Sequence, residues 1–118
     1  MANDALFIGW GAAVRGREEH ALEVFQETIA FWEEARANGR IESYEPWLLE
    51  PHGGELGGFM LARGDRTQLD ALRADPGFQR LMARAAAVVD DLGIVSAFGE
   101  EALGRQLGFF QEAAGALA

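Results

Sequence analysis

The sequence predicts an α+β domain in which helices lie against one antiparallel sheet of short strands. Three observations predict it. Short apolar runs, long enough for a strand and too short for a helix, recur along the chain. Between them, apolar residues return at helical spacing between start and stop signals. The two kinds of segment follow one another as β-α-β-β-α-β, with one more helix at the end.

Leu6-Phe7-Ile8-Gly9-Trp10, closed by Gly11, is the first predicted strand. From Arg17 to Asn38, Leu22, Phe25, Ile29 and Trp32 recur at helical spacing, widened by Ala21, Val24, Thr28 and Ala35 and stopped by Gly39. Ile41 to Glu50 and Leu56 to Arg63 read as two strands joined by "EPHGGELGG", whose paired glycines suit a tight turn. Asp65-Arg66-Thr67-Gln68 has the form of a capping box and opens a short helix carrying Leu69 and Leu72. Asp75-Pro76 restarts the helix, since Asp suits an N-cap and Pro the first helical position. Phe78, Leu81, Met82, Ala85, Val88, Val89 and Leu92 then keep helical spacing up to Gly93. Ile94 to Phe98 is the last strand, and residues 100–117 form a C-terminal helix with Leu103, Leu107, Phe110, Ala114 and Leu117 on one side.

This order is the split βαβ plan of the ferredoxin-like fold with an added C-terminal helix, and the 118 residues suit a single domain. The plan places the second strand at an edge, where Pro46 and Pro51 do no harm to a hydrogen-bond ladder. A turn centred on Gly53-Gly54 pairs His52 with Glu55, Leu48 with Phe59, Trp47 with Met60 and Tyr44 with Arg63. Strand alternation then gives one face with Ile41, Trp47, Leu49, Leu56, Met60 and Ala62, and another with Tyr44, Pro46, Leu48, Phe59 and Leu61. Both faces are largely apolar, but helices cover only one, so a homodimer packed sheet against sheet is expected.

The order of elements over almost the whole chain resembles the dimeric α+β barrel superfamily, whose small members include antibiotic biosynthesis monooxygenases, EthD-like proteins and YCII-related proteins. "LDALRADPGFQRLMARAAAVVDDLGIVSAF" is similar to the broken helix and final strand of such proteins. The resemblance implies a dimer with a cleft between sheet and helices or at the barrel interface. It implies no particular reaction, since the group includes cofactor-free oxygenases, isomerases and heme-handling proteins, and no catalytic motif transfers residue by residue.

Composition narrows the chemistry further. The absence of cysteine removes disulfides, thiolate nucleophiles and iron-sulfur clusters. All ten basic residues are arginines, so no lysine can form a Schiff base with a carbonyl substrate or pyridoxal phosphate; a GC-rich, bacterial genome accounts for the bias. A net charge of −9 opposes binding to nucleic acid and to anionic membranes. Without a basic leader or a long apolar run, a cytoplasmic protein is expected. No cofactor and no metal centre are expected either.

Several constellations remain as candidates. Gly11-Ala12-Ala13-Val14-Arg15-Gly16-Arg17-Glu18 has the glycine spacing of a phosphate loop, but Arg17 and Glu18 stand where lysine and a hydroxyl residue are needed. Arg15 and Arg17 could still hold a small carboxylate. His20, Glu23 and Glu27 share one helical face as a partial metal site or a solvated stripe. Ser43 and Ser96 lack a nucleophile motif. Trp10, Arg15, Tyr44, Trp47, Phe59 and Arg63 are the candidate ligand-binding residues, combining aromatic walls with cations and a phenol. The first functional expectation is therefore a dimer that binds an apolar or aromatic small molecule between sheet and helices. The second is a cofactor-independent monooxygenase or isomerase in which His52 or His20 is a base and Arg63 or Arg15 steadies an oxyanion. The third is an assembly module using the C-terminal helix.

Overall fold

The computed structural model describes residues 3–117. Its elements are β1 (Asp4–Trp10), α1 (Glu18–Ala37), β2 (Ser43–Leu48), β3 (Gly58–Gly64), α2 (Arg66–Ala74), α3 (Pro76–Ala86), β4 (Gly93–Phe98) and α4 (Glu100–Ala116). The four strands form one antiparallel sheet in the order β2-β3-β1-β4, with β1 and β3 central and proline-bearing β2 at an edge.

Local signals fix the helix starts. Glu18 and Glu19 lie in the first turn of α1, where carboxylates complement the positive end of the helix dipole. Asp65 and Gln68 form both halves of the capping box of α2. Asp75 accepts the Phe78 amide at 3.2 Å and Pro76 opens α3, so the break between the two helices is where the sequence places it.

The core lies between the sheet and α1, α2 and α3. Leu6, Ile8, Met60 and Ala62 point into it from the central strands, against Trp32, Ala35, Leu69, Leu72, Phe78 and Leu81. Trp32 is fully buried, with edge-on contacts to Phe31 and Phe78 at centroid distances of 5.5 and 5.9 Å.

Two expectations need correction. The β2–β3 register is one residue away from the expected one: Trp47 faces Phe59, Pro46 faces Met60 and Ser43 faces Arg63. The ladder stops at Leu48 and Gly58, and residues 49–57 form a wide loop in place of a two-residue turn. Within it, Gly53 alone takes a positive φ, of 83°. His52 braces the loop, with Nε2 2.7 Å from the Leu56 carbonyl oxygen and Nδ1 3.3 Å from the Gly54 nitrogen. Because side chains alternate along a strand, the shift regroups the faces. Tyr44, Pro46 and Leu48 join Met60 and Ala62 on the helix side, and Trp47 joins Phe59 and Leu61 on the open side.

The second correction concerns α3, which ends at Ala86 rather than running to Leu92. Residues 88–90 turn back along the β1–α1 loop instead. Val14 donates to the Val88 carbonyl at 2.8 Å, Gly11 to Asp90 at 2.7 Å, and Asp90 to Ala12 at 2.8 Å, with a bridge between Ala13 and Val89. β-branched Val88-Val89 followed by Asp90-Asp91 favours this extended pairing over further helix, although the apolar spacing fits either.

The open side of the sheet is apolar, as expected. Phe7 stacks on Phe59 at 5.3 Å, Leu61 and Val95 lie beside them, and Leu56 approaches Gly9 on the same side. At one end Arg63 Nε donates to Glu45 Oε1 at 3.0 Å, beside exposed Trp47. Among the described residues, no helix is long and apolar enough to cross a membrane.

Candidate functional site

A cavity of about 350 Å³ lies between the helix side of the sheet, α1, the end of α3 and the 88–92 segment. The sheet contributes Ile8, Trp10, Leu48 and Met60; α1 contributes Ala21, Leu22, Val24, Phe25 and Thr28. Met82, Ala85, Val88, Val89 and Leu92 close the far side, with Gly11 and Ala13 beneath. Leu22 and Leu48, both exposed, stand at the rim. The space exists because small residues face one another there: Ala21 on α1, Ala85 on α3, and Gly11 and Ala13 in the loop between β1 and α1.

Its chemistry is apolar. Trp10 meets Phe25 edge-on at 6.0 Å, and the thioethers of Met60 and Met82 supply polarizable walls. The Thr28 hydroxyl is already spent on the Val24 carbonyl at 2.8 Å. Glu18 is the one ionisable side chain of the lining, and its Oε1 accepts the Gly16 amide at 2.8 Å. No histidine and no cation line the cavity, and its one carboxylate, Glu18, is engaged with the Gly16 amide, so the arrangement suits holding a neutral molecule.

Trp10 is positioned from behind by Gly58. A Cβ on Gly58 would fall 2.8 Å from Trp10 Cζ2 and 2.7 Å from the Trp47 carbonyl oxygen, so a rigid ring and a backbone atom both demand glycine there. Gly58→Ala is therefore expected to destabilise the fold by about 1–3 kcal/mol through overpacking and to displace the Trp10 ring. Chemical denaturation checks the first effect, and the change in tryptophan emission, to which Trp10 contributes with Trp32 and Trp47, reports the second.

The other expected site residues are scattered. Trp47, Phe59 and Arg63 lie on the open side of the sheet, and Tyr44 lies on the helix side, outside the cavity lining. The expected Tyr44–Arg63 pair does not form, because the one-residue register shift puts the two on opposite faces. Arg15 is exposed in the β1–α1 loop and is not part of the lining. Neither histidine enters the cavity. His20 is a surface residue, its Nδ1 3.7 Å from Glu23 Oε2, while Glu27 turns away to meet Arg84 at 2.5 Å. His52 braces the hairpin loop through backbone groups, not through Glu50 or Glu55. The phosphate-loop reading fails as well, since the amides of Gly11 and Val14 are bonded to Asp90 and Val88. Among the described residues no group of three metal-ligating side chains forms.

Tyr44 has a different part. Its hydroxyl donates to Glu33 Oε2 at 2.8 Å, and Glu33 also pairs with Arg36. The Arg36 hydrogen bond first, and the Tyr44 hydrogen bond second, hold the Glu33 carboxyl down at about 2, against an ordinary 4.5. A lowered carboxylate pKa contributes stability above pH 4.5 that is lost as the pH falls toward 2. Tyr44→Phe is expected to move the Glu33 pKa part of the way back toward 4.5, which a carboxyl ¹³C NMR titration reads directly.

Residues that sequence reasoning missed are the apolar wall itself: Leu22, Phe25, Met60, Met82, Val88, Val89 and Leu92. Their spacing marks a buried face, and a void on that face leaves no trace in periodicity. The usable signal was the small residues, Ala21 and Ala85, at positions facing the sheet.

No family model matches the sequence, and no curated protein matches it. The structure is similar to a dimeric ferredoxin-like protein of unknown function from Jannaschia sp. CCS1, with a TM-score of 0.62 and 14% identity over 80% of this chain and 97% of that one. The fold is ferredoxin-like. A dimeric protein of unknown function with the same fold from Bacteroides fragilis NCTC 9343 gives a TM-score of 0.59 and 14% identity over 80% of this chain and 95% of its own. SnoaB, a cofactor-independent oxygenase from Streptomyces nogalater, gives 0.56 and 18% identity over 85% and 96%. The expected resemblance to the dimeric α+β barrel group thus holds for the ferredoxin-like fold, and at these identities it carries the fold alone.

Proposed function

We propose that the protein binds a neutral apolar or aromatic small molecule in the cavity between α1, α3 and the sheet, and that it works as a homodimer joined through the open sheet face. The observation that carries the binding reading is the cavity itself. A volume of about 350 Å³ lies within the range of small-molecule sites, roughly 300–1,000 Å³, and its walls are nearly all aliphatic, aromatic or thioether. The lining has no cation to meet a carboxylate or phosphate, and Glu18 repels either. Neutral ligands are favoured on that ground.

The homodimer rests on the apolar open face, with Trp47 and Val95 more than half exposed. The two dimeric neighbours support it by analogy of fold. The oxygenase or isomerase reading has only fold analogy behind it, because His20, His52 and Arg63 all lie away from the cavity. The test is a fluorescence titration with phenylnaphthylamine, an uncharged aromatic probe. One-to-one saturation with a blue shift of the probe is expected, and its failure to saturate would remove the binding reading.

A further inference from the structure

α4 presents an apolar face that its own chain leaves uncovered, and we infer that a second copy of this chain covers it, so that each α4 packs across the other protomer as part of one interface with the open sheet face. The inference rests on the homodimer reading and assigns α4 the area that reading lacks. On the sheet, Trp47, Val95 and Leu56, with half-buried Phe7, Phe59 and Leu61, offer roughly 350 Å² of apolar surface. A stable dimer buries about 800 Å² on each partner. On α4 and its C-cap, Phe110 and Leu117 are 71 and 89% exposed on one side, with Leu103 and Leu107 about half exposed beside them; together they offer on the order of 500 Å². The two surfaces together reach the size that neither has alone.

Three further features point to a second copy of this chain. Leu103, Leu107, Phe110, Ala114 and Leu117 alternate spacings of four and three, which makes one continuous apolar stripe along the helix for a partner to cover. The root of α4 borders the open face, since Gly99 and Glu100 line one shallow hollow together with Ala5, Leu61, Arg63 and Ala97. The sheet surface and the helix surface are therefore contiguous. Finally, Glu100 holds a φ of 48°, a left-handed conformation that a non-glycine residue keeps only where its surroundings enforce it. Within one chain Ala102 is the only buried residue of α4, and Gly104, Gly108 and Gly115 weaken the helix. The partner protomer supplies the missing support.

The test uses the full chain in sedimentation equilibrium, comparing wild type with Leu107→Glu/Phe110→Glu on α4 and with Trp47→Glu on the sheet. All three positions are more than half exposed, so the fold should survive, and circular dichroism verifies that. The inference expects a wild-type dimer whose dissociation constant rises at least about tenfold in both variants. A dimer weakened by Trp47→Glu but untouched by the α4 pair would overturn the role of α4 and leave the homodimer reading standing. A monomeric wild type would overturn both. Should the α4 pair unfold, a photo-crosslinking residue at position 110 gives a second readout. It should join two copies of this chain, and attachment within one chain or to a foreign protein counts against the inference.

Discussion

Replacing Trp32 by alanine is expected to cost about 3–5 kcal/mol, enough to unfold a domain whose whole stability is of the order of 5–15 kcal/mol. Trp32 sits on the inner face of α1 with no exposure, and its indole fills the space between Phe31 and Phe78. Truncation removes the transfer energy of a large aromatic and leaves a void between α1 and α3 that the surrounding packing relaxes only in part to fill. The indole Nε1 adds a second, opposing effect. It is buried without a hydrogen-bond partner among the described residues, and an unpaired buried donor costs about 1–3 kcal/mol. Trp32→Phe removes that donor together with part of the ring, so its loss should be clearly smaller than that of alanine. Urea unfolding of the two variants separates the contributions. Equal losses in both would mean that packing around the ring matters less than the geometry implies.

Ala21→Phe is expected to weaken binding of an uncharged aromatic ligand by at least about tenfold, or ~1.4 kcal/mol, while leaving the fold intact. Ala21 is half-buried on α1 and its methyl faces the cavity. A phenyl ring there occupies part of the 350 Å³, beside Phe25 and the wall that the cavity shares with the core at Ile8, Met60 and Met82. Filling a pre-existing apolar void adds burial without overpacking, so the melting temperature should hold or rise. Binding and stability are thus expected to move in opposite directions. A ligand unaffected by this change binds elsewhere, and the open sheet face around Trp47 and Phe59 would be the next place to look.

Much of the fold was legible because its signals are local. The Asp65–Gln68 capping box, the Asp75-Pro76 restart and the periodicity of α1 each depend on residues within a few positions of one another, and each appears where the sequence places it. The hairpin register is different, because it depends on how a nine-residue loop closes. Paired glycines look like a two-residue turn, whereas the loop is closed by a histidine bonded to backbone groups, and one residue of difference exchanges the faces of every side chain on β2 relative to β3. That single shift dissolved the expected Tyr44–Arg63 pocket. The end of α3 was misread for a related reason: Val88, Val89 and Leu92 keep an apolar spacing that serves a helix or a strap lying over a cavity, and the partner amides in residues 11–14 decide between them. The cavity was the least legible feature. It is an absence of side-chain volume, set by alanines and glycines that sequence patterning treats as ordinary.

Two of the three methionines, Met60 and Met82, face the cavity from opposite sides, which makes their methyl groups direct reporters of what enters it. The most direct test of ligand binding is a ¹H–¹³C NMR titration of methyl-labelled methionine with phenylnaphthylamine. Binding between the sheet and α3 predicts saturable shifts of both resonances along one binding curve, moved to at least about tenfold higher ligand concentration in Ala21→Phe. Saturable binding that leaves both methyls unmoved would contradict it.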